Sequence, residues 1–279
     1  MRAPSACVIG WPIKHSRSPL IHTYWLKHYG IAGAYEKKEV PPDRLRSFLR
    51  GLPESAYAGC NVTLPHKEAA FQTVKVTDET TKRLGVVNTV FLRDGEVCGL
   101  STDGEGFVQS LVHGCPGFSP AGKHFTILGA GGAARAIAGT LVECGAAELA
   151  IVNRTADRSE ILRRDFGKTV QVIGWARRSE IIAETDVLVN TTSLGMKGQP
   201  GLEIDLKRLP AHALVTDIVY TPLETELLKS ARRRGNVTVA GLGMLLYQAV
   251  PGFELWFGKR PEVTQDLFDL IAADIEGAS

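Results

Sequence analysis

The stretch "ILGAGGAARA", Ile127 to Ala136, closes one apolar run and opens another of different period. "HFTIL", which it completes, has β-type composition, whereas "AARAIAGTLVECG" has the composition and apolar spacing of a helix. Between them Gly129, Gly131 and Ala134 keep the spacing G-x-G-x-x-A. Small residues are needed there because the turn is tight, a pyrophosphate must approach the backbone N–H groups, and the helix must pack close to the strand. A dinucleotide loop over Gly129, Ala130, Gly131, Gly132 and Ala133 is the expectation. Glycine turns of this kind also occur without ligands, so the motif needs support from its surroundings.

Downstream the rhythm continues. "ELAIV", "TVQVI", "VLVN", "LVTDIV" and "VTVAG" read as strands, separated by helix-like runs such as "ADRSEILRRDFG" and "ETELLKSARRRG". With "HFTIL" this makes six buried strands with helical crossovers, a doubly wound parallel sheet of the Rossmann type. At the end of its second strand, NAD-binding versions carry an acidic residue for the ribose 2′-hydroxyl. Here that place holds "NRTADR", Asn153 to Arg158, which offers two guanidinium groups and the Thr155 hydroxyl instead. Arg154 and Arg158 suit a 2′-phosphate; two charge-assisted bonds of roughly 1.5–3 kcal/mol each would favour NADP over NAD by about 10² or more.

Upstream of about Asp103 the pattern is mixed α/β. "ACVIG", "AYEKKEV" and "AGCNVTL" read as strands; "SPLIHTYWLKHYG", with Ser18 as N-cap and Pro19 at its first position, "PDRLRSFLRGL" and "HKEAAFQTV" read as helices. "VNTVFLRDGEVCGLSTD" is a hairpin turning at Asp94 and Gly95. The tail is helical, in "LLYQAVPGFELWFG" and "VTQDLFDLIAADIEG".

The 279 residues are 44% hydrophobic, enough for two packed domains. Lys and Arg number 32 against 30 Asp and Glu, a net charge of +2, and the one basic run, "ARRRG", falls in the last turn of a helix, so no nucleic-acid surface is expected. No apolar run is long enough to span a bilayer, and no cleavable signal is expected at the amino terminus. Five cysteines, odd in number and without a CxxC pair, suit free thiols in the cytoplasm. The seven histidines show no ligand spacing, so no metal is expected.

Small polar clusters mark the element boundaries of the first half. "KHSRSPLIH" contributes Ser16 and Ser18, "NVTLPHK" Asn61, Thr63 and Lys67, "GVVNT" Asn88, and "STDGEGF" Asp103. Singly each has an ordinary structural explanation, Asp103 for example as a helix cap. Together with a dinucleotide domain they suit a small polyhydroxylated ligand. Lys67 stands out, because the first turn of a helix, beside its unpaired N–H groups, favours anions over an ammonium.

In series, "SRSP", "NVTLPHK", "VVNT", "GAGGAARA", "NRT", "NTTSLGM" and "GLGMLLYQ" closely resemble the shikimate dehydrogenase family, in the family's order and over nearly the whole chain. The resemblance implies NADP-dependent, reversible reduction of 3-dehydroshikimate to shikimate, in the route to aromatic amino acids. It also implies a substrate-binding domain over 1–104, a Rossmann domain over 105–241, and C-terminal helices over 242–279 that return to the substrate domain. Carried over by residue, it puts Ser16 and Ser18 on the substrate carboxylate with the Tyr220 hydroxyl nearby. Thr63, Lys67, Asn88, Asp103 and Gln248 hold the ring hydroxyls, and Asn61 joins them from the same cluster. Glu79, Ile218 and Gly241 join the Gly129 loop and the Asn153 to Arg158 segment around the cofactor. Where the family usually has Asn in "NTD", this chain has Ser101, which can cap or donate with shorter reach.

Hydride transfer leaves a proton to be moved at the hydroxyl oxygen. Lys67 and Asp103 are the expected pair, Lys67 relaying the proton and Asp103 orienting it, with the reverse roles open. An ordinary lysine is almost wholly protonated at neutral pH and a poor base; the helix terminus and desolvation favour the neutral amine, and the carboxylate opposes both. Two rivals remain: a quinate/shikimate dehydrogenase of broader specificity, and a non-catalytic sensor of the same ligands, against which retention of both residues counts. Monomer and homodimer are both open.

Overall fold

The computed structural model describes residues 3–277. They form two compact units, one of residues 3–103 with 248–271, the other of residues 104–247 with 272–277. The first break falls next to the expected one at 104, whereas residues 242–247 go with the second unit and the return begins at Gln248.

In the first unit the strands are β1 (Ser5–Gly10), β2 (Ala34–Glu39), β3 (Tyr57–Val62), β4 (Lys75–Val76), β5 (Thr89–Arg93) and β6 (Glu96–Leu100), in the order β2-β1-β3-β5-β6-β4. β1 runs parallel to both β2 and β3, and β5 is antiparallel to both β3 and β6. The hairpin turns at Asp94 (φ 52°) and Gly95 (φ 79°), both left-handed as a tight two-residue turn demands. Its helices are α1 (Ser18–His28), α2 (Leu45–Arg50), α3 (Lys67–Phe71) and α4 (Glu79–Leu84). The returning helix α11 (Val250–Phe257) seats Trp256 against the sheet, its indole N–H donating to the Val90 carbonyl at 2.9 Å. Gly59 makes room for it, since a Cβ there would lie 2.1 Å from the Val90 oxygen and 2.3 Å from the indole nitrogen.

Three expectations shift. Ser18 is the first residue of α1 rather than its cap: Arg17 holds the cap position, and the Ser16 hydroxyl accepts the Ser18 N–H at 3.3 Å. That leaves the Ser18 hydroxyl outside the capping. The helix after Pro65 stops at Phe71, where Thr73 turns its hydroxyl back onto the Ala69 carbonyl at 2.6 Å. β4 and α4 went unanticipated: a two-residue strand has no periodicity to read, although Asp78, which caps α4 through the Thr81 N–H at 2.7 Å, is a legible start signal.

The second unit opens with α5 (Asp103–Gly114), whose first residue closes the first unit. There follow β7 (His124–Leu128), α6 (Gly132–Glu143), β8 (Glu148–Asn153), α7 (Ala156–Phe166), β9 (Val170–Gly174), α8 (Arg178–Ile181), β10 (Val187–Asn190), β11 (Leu214–Asp217), α9 (Glu226–Arg233), β12 (Thr238–Ala240) and α10 (Leu242–Tyr247). The strands form one parallel sheet in the order β12-β11-β10-β7-β8-β9, the doubly wound arrangement expected. Ile127, Ile151, Val187, Leu188 and Val189 are fully buried, as strands covered on both faces require. The tail, α11 (Val250–Phe257) and α12 (Gln265–Gly277), differs from the expected continuous run: Pro251 begins a new helix, and Gln248 lies in the break between α10 and α11. Among the described residues no helix is long and apolar enough to cross a membrane.

Candidate active site

In the first unit, Lys67 sits where α3 begins and Asp103 where β6 has ended, 36 positions apart. Their side chains meet, Lys67 Nζ donating to Asp103 Oδ2 at 2.5 Å. The lysine end is anchored by the Val87 N–H, which donates to the Lys67 carbonyl at 3.0 Å and ties α3 to the chain entering β5. The two side chains are 20% and 9% exposed, so the pair is largely dry yet open on one side. α3 spans only Lys67–Phe71 and carries Glu68 in its first turn. A helix this short has a weak dipole, so the Asp103 carboxylate, not the helix end, dominates the field at the amine.

Asn88 is the hub of the cluster. Its amide NH2 donates to Asp103 Oδ1 at 3.0 Å, to Thr102 Oγ1 at 3.0 Å and to Gln248 Oε1 at 3.3 Å. Its carbonyl oxygen accepts the Thr102 N–H at 2.7 Å. Thr102 Oγ1 donates in turn to the Gln248 backbone carbonyl at 2.7 Å. Asn88, Asp103, Lys67 and Gln248 are thus brought together from distant parts of the chain. Thr102 was not among the expected residues, because its role rests on contacts to Asn88 and Gln248 that no local pattern encodes.

Asn61 occupies a different place. It is 5% exposed; its Oδ1 accepts the Tyr35 hydroxyl at 2.6 Å and its amide reaches the Asn88 carbonyl at 3.2 Å and Thr89 Oγ1 at 3.3 Å. Its polar atoms are engaged in holding β3 to β5, so it supports Asn88 from beneath. Thr63 follows β3 and is half-buried, its N–H donating to the Ile9 carbonyl at 3.0 Å. Ser16 and Ser18 stand together with their hydroxyl oxygens 3.3 Å apart. Ser101 makes no side-chain bond to Asp103: its N–H donates to Thr81 Oγ1 at 2.9 Å, and among the described residues its buried hydroxyl has no partner. Orientation of Asp103 therefore comes from Asn88. Glu79 belongs to this unit too, exposed on the first turn of α4, with Lys82 Nζ 2.5 Å from its Oε1.

In the second unit the glycine loop joins β7 to α6. Gly129 has φ +107°, and a Cβ on it would meet Thr191 Oγ1 at 2.7 Å. Around Gly131 and Gly132 nothing lies within 4 Å of a built Cβ. These two glycines are not demanded by packing, which fits a loop kept bare for a close ligand. Asn153 ends β8, its amide donating to the Thr155 carbonyl at 2.8 Å. Arg154, Thr155 and Arg158 are all exposed, and Thr155 caps α7 without spending its hydroxyl on the backbone. The donor set fits a 2′-phosphate: two guanidinium groups and a hydroxyl beside a helix start. Across the sheet, Gly241 lies so close to the end of β11 that a Cβ would be 2.4 Å from the Ile218 oxygen. Ile218 donates its N–H to the Asn190 carbonyl at 3.1 Å. Tyr220, two residues on, is half-buried in the loop after β11.

Family models described as "Shikimate dehydrogenase substrate binding domain", "Shikimate / quinate 5-dehydrogenase" and "Shikimate 5'-dehydrogenase C-terminal domain" match residues 8–90, 117–196 and 241–265. A curated shikimate dehydrogenase (NADP(+)) of Methylobacterium radiotolerans is 50% identical over 277 residues, covering 98% of each chain. Among solved structures, the shikimate 5-dehydrogenase of Listeria monocytogenes, in complex with shikimate and NAD, superposes with TM-score 0.90 at 31% identity and 96% coverage of both chains. A 5-ketofructose reductase of Gluconobacter superposes equally, with TM-score 0.90, 31% identity and full coverage, so the fold alone does not select the substrate. Half-identity along the whole length, with the three family regions in order, is decisive: the chain belongs to the shikimate dehydrogenase family.

Proposed function

We propose that this chain catalyses the reversible, NADP-dependent reduction of 3-dehydroshikimate to shikimate, with residues 3–103 and the returning tail binding substrate and the parallel-sheet unit binding the nucleotide. The observation that carries the reading is the Lys67–Asp103 pair at 2.5 Å, fixed by Asn88 in a chain whose other unit presents a bare glycine loop and two exposed guanidinium groups at the end of β8. NADPH, when bound, supplies the hydride. Lys67 donates a proton from Nζ to the ketone oxygen as the adjoining carbon is reduced, and takes it back in the reverse direction. Asp103 accepts a hydrogen bond from Lys67 on Oδ2, while its Oδ1 is held by Asn88. That arrangement leaves the amine's remaining N–H directions for the substrate.

Thr63, Asn88 and Gln248 orient the ring hydroxyls, and the Ser16 and Ser18 hydroxyls receive the substrate carboxylate. Asn61 acts through Asn88 rather than by its own contact. Gly129 to Ala133, Ile218 and Gly241 shape the nucleotide site, and Arg154, Thr155 and Arg158 take the 2′-phosphate with Asn153 fixing their turn. Each member of the proton-transfer cluster comes from one chain, so the activity is proposed for monomer and homodimer alike. All five cysteines are free thiols, which supports a cytoplasmic location.

The test is nicotinamide reduction followed by absorbance, with shikimate and quinate each run against NADP and NAD. A dominant rate with shikimate and NADP is expected. Comparable quinate rates would reassign the chain to the broader quinate/shikimate activity, and no turnover with any pair would leave only ligand binding.

A further inference from the structure

Asp217 ends β11 and is fully buried, and among the described residues no cationic side chain pairs with it. Its Oδ1 accepts the Asn190 amide at 2.9 Å and the Val219 N–H at 3.0 Å, and its Oδ2 accepts the Thr225 hydroxyl at 2.8 Å. The Thr225 oxygen in turn receives the Leu228 N–H at the start of α9. On the other side, Asn190 also donates to the Leu194 carbonyl at 3.1 Å and accepts the Thr192 hydroxyl at 2.7 Å, while Thr192 receives the Leu194 N–H at 3.1 Å. Every partner of the carboxylate is a neutral donor. Burial pushes the Asp217 carboxyl above its ordinary value, so the group is held at a cost to stability.

What the network grips is informative. It fixes the loop after β10 (Asn190 to Leu194) and the loop after β11 (Val219 to Thr225), and the Asn190 carbonyl also takes the Ile218 N–H. In a doubly wound sheet the ligand lies beyond the carboxyl ends of the strands and crosses from one half to the other at the switch point, here between β7 and β10. The 2′-phosphate donors end β8, so the adenosine half belongs on the β7–β8–β9 side and the nicotinamide half over the loops that follow β10 and β11. A fold that needed only burial at this place would be served by an apolar residue without the desolvation cost.

We propose that Asp217 is a positioning residue for the nicotinamide half of the cofactor, holding Ile218 and the two strand-end loops in the receiving conformation. This rests on the dinucleotide reading of the second unit. The test is NADPH affinity by titration calorimetry on the full-length protein, with steady-state kinetics and thermal unfolding in parallel. Asp217→Ala should raise the Kd for NADPH and the KM for NADP by about tenfold or more. Asp217→Asn keeps an acceptor for Asn190 and Val219 and should restore affinity to within about threefold, a rescue that loss of fold would not show. A folded Asp217→Ala protein with unchanged Kd overturns the proposal. If that variant does not fold, Thr225→Val decides: a weaker NADPH affinity supports the proposal and an unchanged one overturns it. Failure of the unaltered protein to bind NADPH would instead refute the dinucleotide reading, and the proposal with it.

Discussion

Replacing Lys67 by methionine removes the ammonium while keeping most of the stem, and the structure sets the size of two separate effects. The pair is short, 2.5 Å, and its side chains are 20% and 9% exposed. Without the amine, Asp103 is left a mostly buried carboxylate whose remaining side-chain donor is Asn88. Partial exposure moderates the penalty, so about 1–3 kcal/mol of stability should be lost. At about 2–4 °C per kcal/mol for a chain approaching this size, Tm should fall by roughly 2–12 °C. Proton transfer by a positioned group contributes typically 10²–10⁴ in rate, about 3–5 kcal/mol of barrier. The protein should therefore fold, bind NADPH normally and turn over shikimate about 10²–10⁴ more slowly, with a modest change in KM. The assay is initial-rate nicotinamide absorbance on purified variant, with unfolding monitored by circular dichroism. A kcat within threefold of the unaltered protein would refute the relay, and a selective loss of shikimate affinity with kcat preserved would make Lys67 a substrate anchor.

Arg154→Ala should raise the KM for NADP about tenfold, one charge-assisted bond at an exposed site, and leave the KM for NAD within about twofold; equal effects on both would remove the phosphate from this turn. Gly131→Ala should leave Tm unchanged, since φ is −88° and nothing lies within 4 Å of the added carbon, yet weaken NADPH binding about tenfold as the methyl enters the pyrophosphate's path. His22 is fully buried and stacked 4.0 Å from Tyr35, and burial lowers its pKa to about 3. Since the unfolded histidine titrates near 6.5, this contribution to stability is complete above that pH and is lost as pH falls toward about 3. His22→Phe should flatten urea-measured stability between pH 6.5 and 4.5, where His22 can contribute a slope approaching about 1.4 kcal/mol per pH unit; identical slopes for the two proteins would show that His22 is already protonated in the fold.

The division between what is local and what is not explains which parts of this protein are legible in its residues. Apolar periodicity, the glycine turn at Gly129 and the Asp94-Gly95 hairpin are written within a few consecutive positions, because backbone conformation and strand burial are decided there. Arg154 and Arg158 after β8, where NAD-binding folds place an acid at the strand end, are equally local and carry the expectation of NADP without any coordinates. The series of short polar strings that marks the family is also a linear property. By contrast, Ser18 looks like a cap until Ser16 is seen taking its N–H, and Asn61 looks like a ligand contact until Tyr35, Asn88 and Thr89 claim its amide. Gln248 joins Asn88 across 160 positions, and Asp217 joins Asn190 across 27. By itself the sequence determined the longer elements, the sheet class and the chemical inventory. Only the tertiary structure decided which polar atoms are left over for a ligand, because hydrogen-bond satisfaction in a buried site is settled among partners distant in the chain.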